Sequence, residues 1–173
     1  MTNPTFSDQD DGVVRASPHA LKIDDYVPAY LTFLANKLSS SASVAYRREF
    51  GIGITDWRIM ALLAIEPWSV AGRICNIIGL DKAAVSRSVR EMVQYGLVEV
   101  RTHENNQRRQ YIALTPAGVE LHDRVVKLAM DREQDLLTGF STEERKQLIG
   151  FLSRMLSRLG DVKIDDSDDE TCG

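Results

Sequence analysis

The chain has 173 residues, a mass of 19.4 kDa and a formal net charge of −4. Its 43% hydrophobic and 27% charged residues lie near globular averages, which excludes wholesale disorder. Two cysteines exclude a disulfide framework, no apolar run is long enough to cross a membrane, and the acidic N-terminus does not resemble an export signal, so we expect a cytoplasmic protein.

The negative charge is concentrated at the two ends of the chain. Residues 1–12 carry three aspartates and no basic residue, while residues 161–173 carry six acidic residues and one lysine. Without these two segments the chain keeps 20 basic and 16 acidic residues, so its body is basic. Composition predicts a flexible arm over residues 1–23 and a disordered acidic tail over residues 161–173.

Helical periodicity begins after the predicted arm. Apolar residues at three- and four-residue spacing predict a first helix that starts at Asp24 or Asp25 as its cap and ends near Phe50. Thr55 is the predicted N-cap of a second helix over residues 56–65, which must end before the next proline.

Two short helices separated by a tight turn come next. Ser69 is the predicted cap of the first, over residues 70–78, and Gly79 suits the left-handed position that ends it. Asp81 is the predicted cap of the second, over residues 82–95. Two short helices around such a turn are typical of a helix-turn-helix.

A β-hairpin and two long helices complete the pattern. Strands are predicted over residues 97–102 and 109–114, joined by a long polar loop over residues 103–108. Thr115 caps a fifth helix that runs to about residue 137. A capping box at residues 141–144 opens a sixth helix that ends near residue 159.

The predicted fold is therefore mainly α, with four helices, a small β-hairpin wing and two further helices. We expect a winged helix-turn-helix lobe that binds DNA over residues 54–114. Residues 24–50 and 115–160 are expected to form a helical dimerisation region, because apolar stripes on the first, fifth and sixth helices exceed what one chain needs to bury. Packing of the sixth helix against the first within one chain is the alternative.

The helix over residues 82–95 has the two faces that a DNA-recognition helix needs. One face is mostly apolar, whereas the other is small, polar or basic and carries no carboxylate. An ordinary solvated surface helix is the alternative reading of the same residues. The predicted DNA contacts of the lobe are Arg73, Lys82, Ser86, Arg87, Arg90, Arg108 and Arg109.

Three stretches of this lobe together resemble the MarR family of regulators. They are Ile54–Leu63 (ITDWRIMALL), Leu80–Arg87 (LDKAAVSR) and, after Gly96-Leu97-Val98 and Arg108 of the wing, Leu114–Gly118 (LTPAG). The resemblance covers about residues 25–160. It implies a homodimer on a pseudo-palindromic double-stranded DNA operator, with base or backbone contacts from Ser86, Arg87 and Arg90 and a minor-groove contact from Arg108. The family usually has an aspartate where this chain has Asn106, so the bracing of the wing arginine is weakened.

The resemblance also implies a small effector, commonly a phenolic or aromatic acid, and a repressor that this effector releases. Aromatic side chains beside an arginine suit an aromatic carboxylate. The predicted effector-binding residues are Tyr30, Phe33, Trp57, Arg58 and His122. Aromatic residues of an ordinary core, with Arg58 in a structural ion pair, are the alternative.

Other classes of function have less support in the sequence. Its three histidines fall in three different segments, and no catalytic, metal-binding or phosphate-binding motif occurs, so we expect neither an enzyme nor a metal or other cofactor. Cys75 lies among isoleucines and is predicted to be a buried, inert thiol, although regulation by its oxidation is an alternative. A winged-helix protein-interaction module without specific DNA binding is another.

Overall fold

The computed structural model describes residues 20–103 and 106–161, with the backbone alone at residues 103, 106–109, 160 and 161. The helices are α1 Val27–Phe50, α2 Ile54–Ile65, α3 Ala71–Ile78, α4 Lys82–Gln94, α5 Pro116–Leu136 and α6 Thr142–Asp161. The strands are β1 Ser69–Val70, β2 Val98–His103 and β3 Asn106–Leu114. The predicted fold class, mainly helical with a small antiparallel sheet, is confirmed. The chain divides into two compact units, Met1–Arg58 and Ile59–Gly173.

The predicted start of α1 at Asp24 or Asp25 is wrong. Residues Ile23–Asp25 form a single 3-10 turn, Tyr26 is extended, and α1 begins at Val27. The reason is Pro28, which has no backbone N–H and is tolerated only in the first turn of a helix. In the structure Pro28 is the second helical residue, where its missing N–H costs no intrahelical hydrogen bond.

The predicted cap of α2 is also wrong. The helix begins at Ile54, one residue before Thr55, and the backbone N–H of Gly53 donates to the Asp56 carboxylate at 2.7 Å. This is the arrangement in which a side chain three residues into the helix reaches back to the residue before it. The first unit buries Ala42, Tyr46 and Ile52.

The turn between α3 and α4 has the predicted geometry. Gly79 ends α3 with φ 67° and ψ 36°, a left-handed conformation that glycine adopts without steric cost, and its N–H donates to the Cys75 carbonyl. Asp81 then caps α4 by accepting a hydrogen bond from the backbone N–H of Ala84 at 2.8 Å. Cap and turn together set the direction in which α4 leaves α3.

The sheet contains a strand that the sequence pattern did not predict. Its order is β1-β3-β2, and in β1 Ser69 pairs with Ile112 and Val70 with Tyr111, both antiparallel. Ser69 and Val70 were predicted as a cap and the first helical residue. Instead the Ser69 hydroxyl donates to the Glu66 carbonyl, and α3 begins at Ala71. Two residues are too few to show a period, and only pairing with the free edge of β3 defines them as a strand.

The hairpin is longer and its loop shorter than predicted. Strand β2 extends to His103 and β3 resumes at Asn106, where the sequence had predicted a loop over residues 103–108. The tip ends of both strands, residues 101–103 and 106–110, are polar. Apolar alternation arises only where one face of a strand is buried, so the outer part of this hairpin carries no such pattern.

Strand β2 and helix α5 meet at a close backbone contact. Thr115 caps α5 by accepting from the Gly118 N–H at 3.1 Å, and its hydroxyl donates to the Gly96 carbonyl at 2.6 Å. A Cβ on Gly118 would clash with the Leu97 carbonyl oxygen. Glycine is therefore required here by space, because the start of α5 lies directly on the backbone that leads into β2.

Helix α6 starts at the predicted capping box. The Glu144 carboxylate accepts from the backbone N–H of Ser141 at 2.7 Å, and the Ser141 hydroxyl accepts from the N–H of Glu144 at 3.2 Å. None of its described side chains is buried. A search of the described residues finds no helix long and apolar enough to span a membrane.

Candidate nucleic-acid interface

Helix α4 has one buried and one exposed face. Val85, Ser88, Val89 and Met92 are buried, and the helix contacts α3 and β2 within the second unit. Ser86 is half-buried, whereas Lys82, Arg87 and Arg90 are exposed. The exposed face thus presents a hydroxyl and three cations, with no carboxylate between Asp81 and Glu91. Such a face suits phosphates and the acceptor-rich edges of bases.

Two residues of this face are linked through the backbone. The Arg90 Nε donates to the Ser86 carbonyl at 3.2 Å, one helical turn earlier. This hydrogen bond uses only one of the guanidinium's five N–H groups. Arg90 is exposed, and the planar guanidinium can still donate to a bidentate acceptor such as a phosphate or a base edge.

Arg73 lies on α3 and is already paired. Its guanidinium donates to the Glu66 carboxylate through Nε at 3.2 Å and Nη2 at 3.0 Å. This hydrogen bond is the main cause that lowers the pKa of Glu66 and raises that of Arg73. Both side chains are exposed, so the pair is worth little, and a DNA phosphate can compete with Glu66 for this arginine.

The predicted wing contacts lie on the outer strand of the hairpin. Arg108 and Arg109 belong to β3, but their side chains, like that of Asn106, lie outside the described residues. The predicted arm up to residue 19 and the tail from residue 162 also lie outside them.

Arg101, on strand β2 of the wing, was not among the predicted contacts. The Arg101 guanidinium carbon lies 4.0 Å from the centre of the Trp68 ring, and its Nη2 donates to Glu99 at 3.2 Å. Trp68 has φ 63°, a left-handed conformation that is unusual for a bulky residue. The sequence shows Pro67 before Trp68 and an arginine in the alternating pattern of the second strand. Nothing in the sequence indicates that Trp68 and Arg101 contact each other.

Four of the five predicted effector residues belong to the first unit. In the first unit the Arg58 Nη2 donates to the Ser39 hydroxyl at 2.7 Å, and the rings of Trp57 and Tyr46 meet edge to face at 5.9 Å. Tyr30 and Phe33 are exposed side chains of α1. The first unit therefore carries one arginine and three aromatic side chains of the prediction on its two successive helices, α1 and α2: Tyr30, Phe33, Trp57 and Arg58.

His122 belongs to the second unit, on α5. Its ring is largely buried, and its Nδ1 lies 3.0 Å from the carboxylate of the adjacent Asp123.

Cys75 on α3 is half-buried, and burial raises the pKa of its thiol. The thiolate is the reactive form, so this environment opposes oxidation-based regulation. No group of three or more histidine, cysteine or acidic side chains within the described part of the chain could hold a metal ion.

Comparison with known proteins gives a consistent result. A family model described as "MarR family" matches residues 50–109. A crystal structure of a MarR/EmrR family transcriptional regulator from Acinetobacter sp. ADP1 is 37% identical, with a TM-score of 0.76, and the match covers 82% of this chain and 100% of that one.

Two further relatives extend the comparison. The HTH-type transcriptional regulator PecS of Dickeya dadantii is 31% identical over 65% of each chain. A MarR family regulator from Listeria monocytogenes complexed with a 26mer DNA is 16% identical, covers 79% of this chain and 90% of that one, and shares the fold at a TM-score of 0.73.

The chain spans between 52% and 65% of the length of the curated relatives that it matches. The Acinetobacter regulator, by contrast, is matched along its whole length at 37% identity. This match, with the family model over α2 to the wing, shows that the chain belongs to the MarR family of transcriptional regulators.

Proposed function

We propose that the chain is a sequence-specific DNA-binding regulator that acts as a homodimer on a pseudo-palindromic operator. The observation that carries this proposal is the exposed basic face of α4. Burial of the opposite, apolar face and the turn at Gly79 together fix the orientation of this helix. A protein-docking module has no need of a carboxylate-free basic face. The Listeria relative, of the same fold, was crystallised with DNA, which supports the proposal.

In the proposed complex, α4 lies in the major groove with its N-terminal half toward the bases. Ser86, Arg87 and Arg90 contact base edges and phosphates, while Lys82 and Arg73 contact the backbone. Arg108 and Arg109 belong to the wing strand and are proposed to reach the adjacent minor groove, whose negative potential attracts arginine.

The homodimer is proposed from the apolar side chains that one chain leaves in water. On α1, Tyr30 and Leu34 are 56% and 49% exposed; on α6, Leu156 and Leu159 are 71% and 69% exposed. Helix faces of this kind are covered by a partner in stable proteins, and a two-fold axis pairs each face with its copy. Dimerisation also sets the spacing between two recognition helices, which must match successive major grooves.

The effector is proposed to be a small aromatic or phenolic carboxylate that relieves repression. Arg58 would bind the carboxylate, with the aromatic rings of Tyr30, Phe33 and Trp57 against its body. The hydrogen bond from His122 stays a prediction. Bound acid would shift the population toward a spacing of recognition helices that no longer fits the operator.

The test of DNA recognition is binding to a labelled duplex taken from upstream of the protein's own gene, beside a shuffled duplex, over a salt series. We expect the Arg87→Ala/Arg90→Ala double variant to lose about 2–6 kcal/mol of specific binding, and the salt slope to fall by about two. The matched control is Lys127→Ala/Lys146→Ala, which removes the same charge from exposed positions of α5 and α6. Equal losses in both variants would show that only net charge matters and would contradict the proposal.

A further inference from the structure

A stacked pair of side chains crosses the sheet of the second unit. Trp68 directly precedes β1, Arg101 lies on β2, and β3 runs between these two strands. The Arg101 guanidinium carbon nevertheless lies 4.0 Å from the centre of the Trp68 ring, well within the distance of about 6 Å at which a cation and an aromatic face attract each other. The stack therefore joins the two sides of the sheet across its central strand.

The register places this stack on the face of the sheet that is turned away from α4. Extended by one residue, the pairing of β1 places Trp68 opposite Ala113, and Ala113 pairs on its other side with Glu99, which shares a face of β2 with Arg101. Ile112 points to the other face, where it lines a cavity of about 450 Å³ beside α4. Ile112 and Ala113 are 3% and 4% exposed, so both faces of β3 are covered at this point.

The turn that carries Trp68 is fixed to the start of α3. The Ser69 hydroxyl donates to the Glu66 carbonyl at 2.9 Å, and the Glu66 carboxylate accepts from Arg73 of α3. Within this turn Trp68 has φ 63°, a left-handed conformation that a bulky residue keeps only where its surroundings hold it. The ring is therefore presented from a constrained backbone.

Arg101 carries the contact toward the tip of the wing. It is two residues from the end of β2, and its Nη2 donates to Glu99 at 3.2 Å. The two side chains are 65% and 44% exposed, so this ion pair contributes little. The stack is therefore the contact that ties this part of β2 to the turn before β1.

We propose that Trp68 and Arg101 are positioning residues of the wing, whose stack fixes the direction of the hairpin relative to α3 and α4. Core side chains hold the sheet from the α4 face, and the stack holds it from the opposite face. A wing that is already fixed loses less conformational freedom when it meets DNA, so the predicted contact of Arg108 costs less to form. This consequence rests on the proposed DNA-binding function, whereas the stack's effect on the wing does not.

Hydrogen exchange of the full-length protein without DNA, measured residue by residue by NMR, tests the effect on the wing. Trp68→Leu removes the aromatic face and changes no charge. We expect it to speed exchange of the amides of residues 101–103 and 106–110 about fivefold or more and to leave those of α4 and α5 unchanged. Trp68→Phe keeps an aromatic ring and should restore most of the protection. A uniform change along the whole chain, or none in the wing, would overturn the proposal.

Two further substitutions separate the stack from the ion pair. Arg101→Gln removes the cation at an exposed position and should speed exchange in the wing as Trp68→Leu does, so the proposal stays testable if the tryptophan variant fails to fold. Glu99→Gln removes the ion pair and leaves the stack, so exchange in its wing should stay within about twofold of the wild type. Equal effects of the two glutamine variants would assign the order of the wing to the ion pair and refute the role of the stack.

A double-mutant cycle tests the consequence for DNA. Arg108→Ala should weaken operator binding about tenfold in the wild-type background and no more than about twofold in Trp68→Leu, because a misdirected wing no longer makes the contact. Arg87→Ala is the matched control and should cost the same factor in both backgrounds, since α4 keeps its own cap and core. An equal effect of Arg108→Ala in the two backgrounds, no effect in either included, would overturn the positioning role. A wild type that binds no duplex would refute the proposed function instead, and the exchange result would still decide the effect of the stack on the wing.

Discussion

Helices α4 and α6 are both amphipathic and both begin at a side-chain cap, yet only α4 has an apolar face that is buried within the chain. The apolar face of α4 is buried, with Val85 and Met92 at 0% and 1% exposure, so its polar face is what remains for a partner. Helix α6 is the reverse, because its apolar residues stay exposed. One helix therefore presents polar groups, as the proposed nucleic-acid contact requires, and the other presents apolar groups, as the proposed homodimer requires.

The largest expected effect is the loss of the α4 core contact. Met92→Ala should lower the free energy of unfolding by about 2–5 kcal/mol, since it leaves a cavity in the buried face. Leu156→Ala, at a position 71% exposed on α6, should cost the isolated subunit no more than about 0.5 kcal/mol. Chemical denaturation of dilute protein measures both, and similar costs would remove the distinction between the two helices.

The second prediction concerns the partner of α6. Leu152→Glu/Leu156→Glu should weaken the dimer by at least about tenfold, because it places charges in an apolar interface. Ser153→Glu/Ser157→Glu adds the same charge to polar positions of the helix and serves as the control. Sedimentation at several concentrations measures the effect. A wild-type chain that stays monomeric would contradict the assignment of this face to a second copy.

The third prediction tests the cap that directs α4. Asp81→Ala should cost about 1 kcal/mol, because the N–H of Ala84 loses its acceptor, and Asp81→Asn should retain most of that stability. Thermal unfolding measures the two variants against the wild type. If asparagine were as damaging as alanine, the carboxylate's charge would matter more than its hydrogen bond.

The smallest expected effect is the pH response of the α6 cap. Hydrogen bonds from the Ser141 backbone N–H and then its hydroxyl lower the pKa of Glu144. A carboxyl whose pKa is lower in the folded state stabilises that state above its unfolded pKa, and the contribution is lost as pH falls through the folded value. The free energy of unfolding should therefore fall slightly less between neutral and acidic pH in Glu144→Gln than in the wild type. Measurement of the unfolding free energy of both proteins at the two pH values tests this. An unchanged pH profile would contradict this role for the cap.

Most of the fold could be predicted because its boundaries carry local chemistry. Asp81, Thr115 and the Ser141–Glu144 pair each cap a helix through their own side chains, and Gly79 is at a left-handed position. Such information lies within a few residues of sequence. The predictions that failed are those at Asp24, Thr55 and Ser69, each chosen as a capping residue type. Proline, a hydrogen bond from Gly53 to Asp56 and strand pairing decide these three boundaries instead.

The candidate site was predictable where it depends on the helical period of α4 alone. The two faces of α4 follow from its period, so the exposed Arg87 and Arg90 and the half-buried Ser86 could be placed on its polar side without a structure. The cavity of about 450 Å³ between α4 and the sheet could not be predicted, because the spacing of the valines and the isoleucine among its lining residues is typical of an ordinary core. The stack of Arg101 on Trp68 joins residues from separate elements, and only the fold brings them together.

The most direct test of DNA recognition by α4 is selection from a randomised duplex library, with the wild type beside Arg87→Ala/Arg90→Ala. We expect the wild type to enrich a pseudo-palindrome with half-sites about one helical turn apart, preferred by about 10³ or more over random DNA, and the variant to enrich nothing. Enrichment of the same sequence by both proteins, or by neither, would contradict the assignment of recognition to the exposed face of α4.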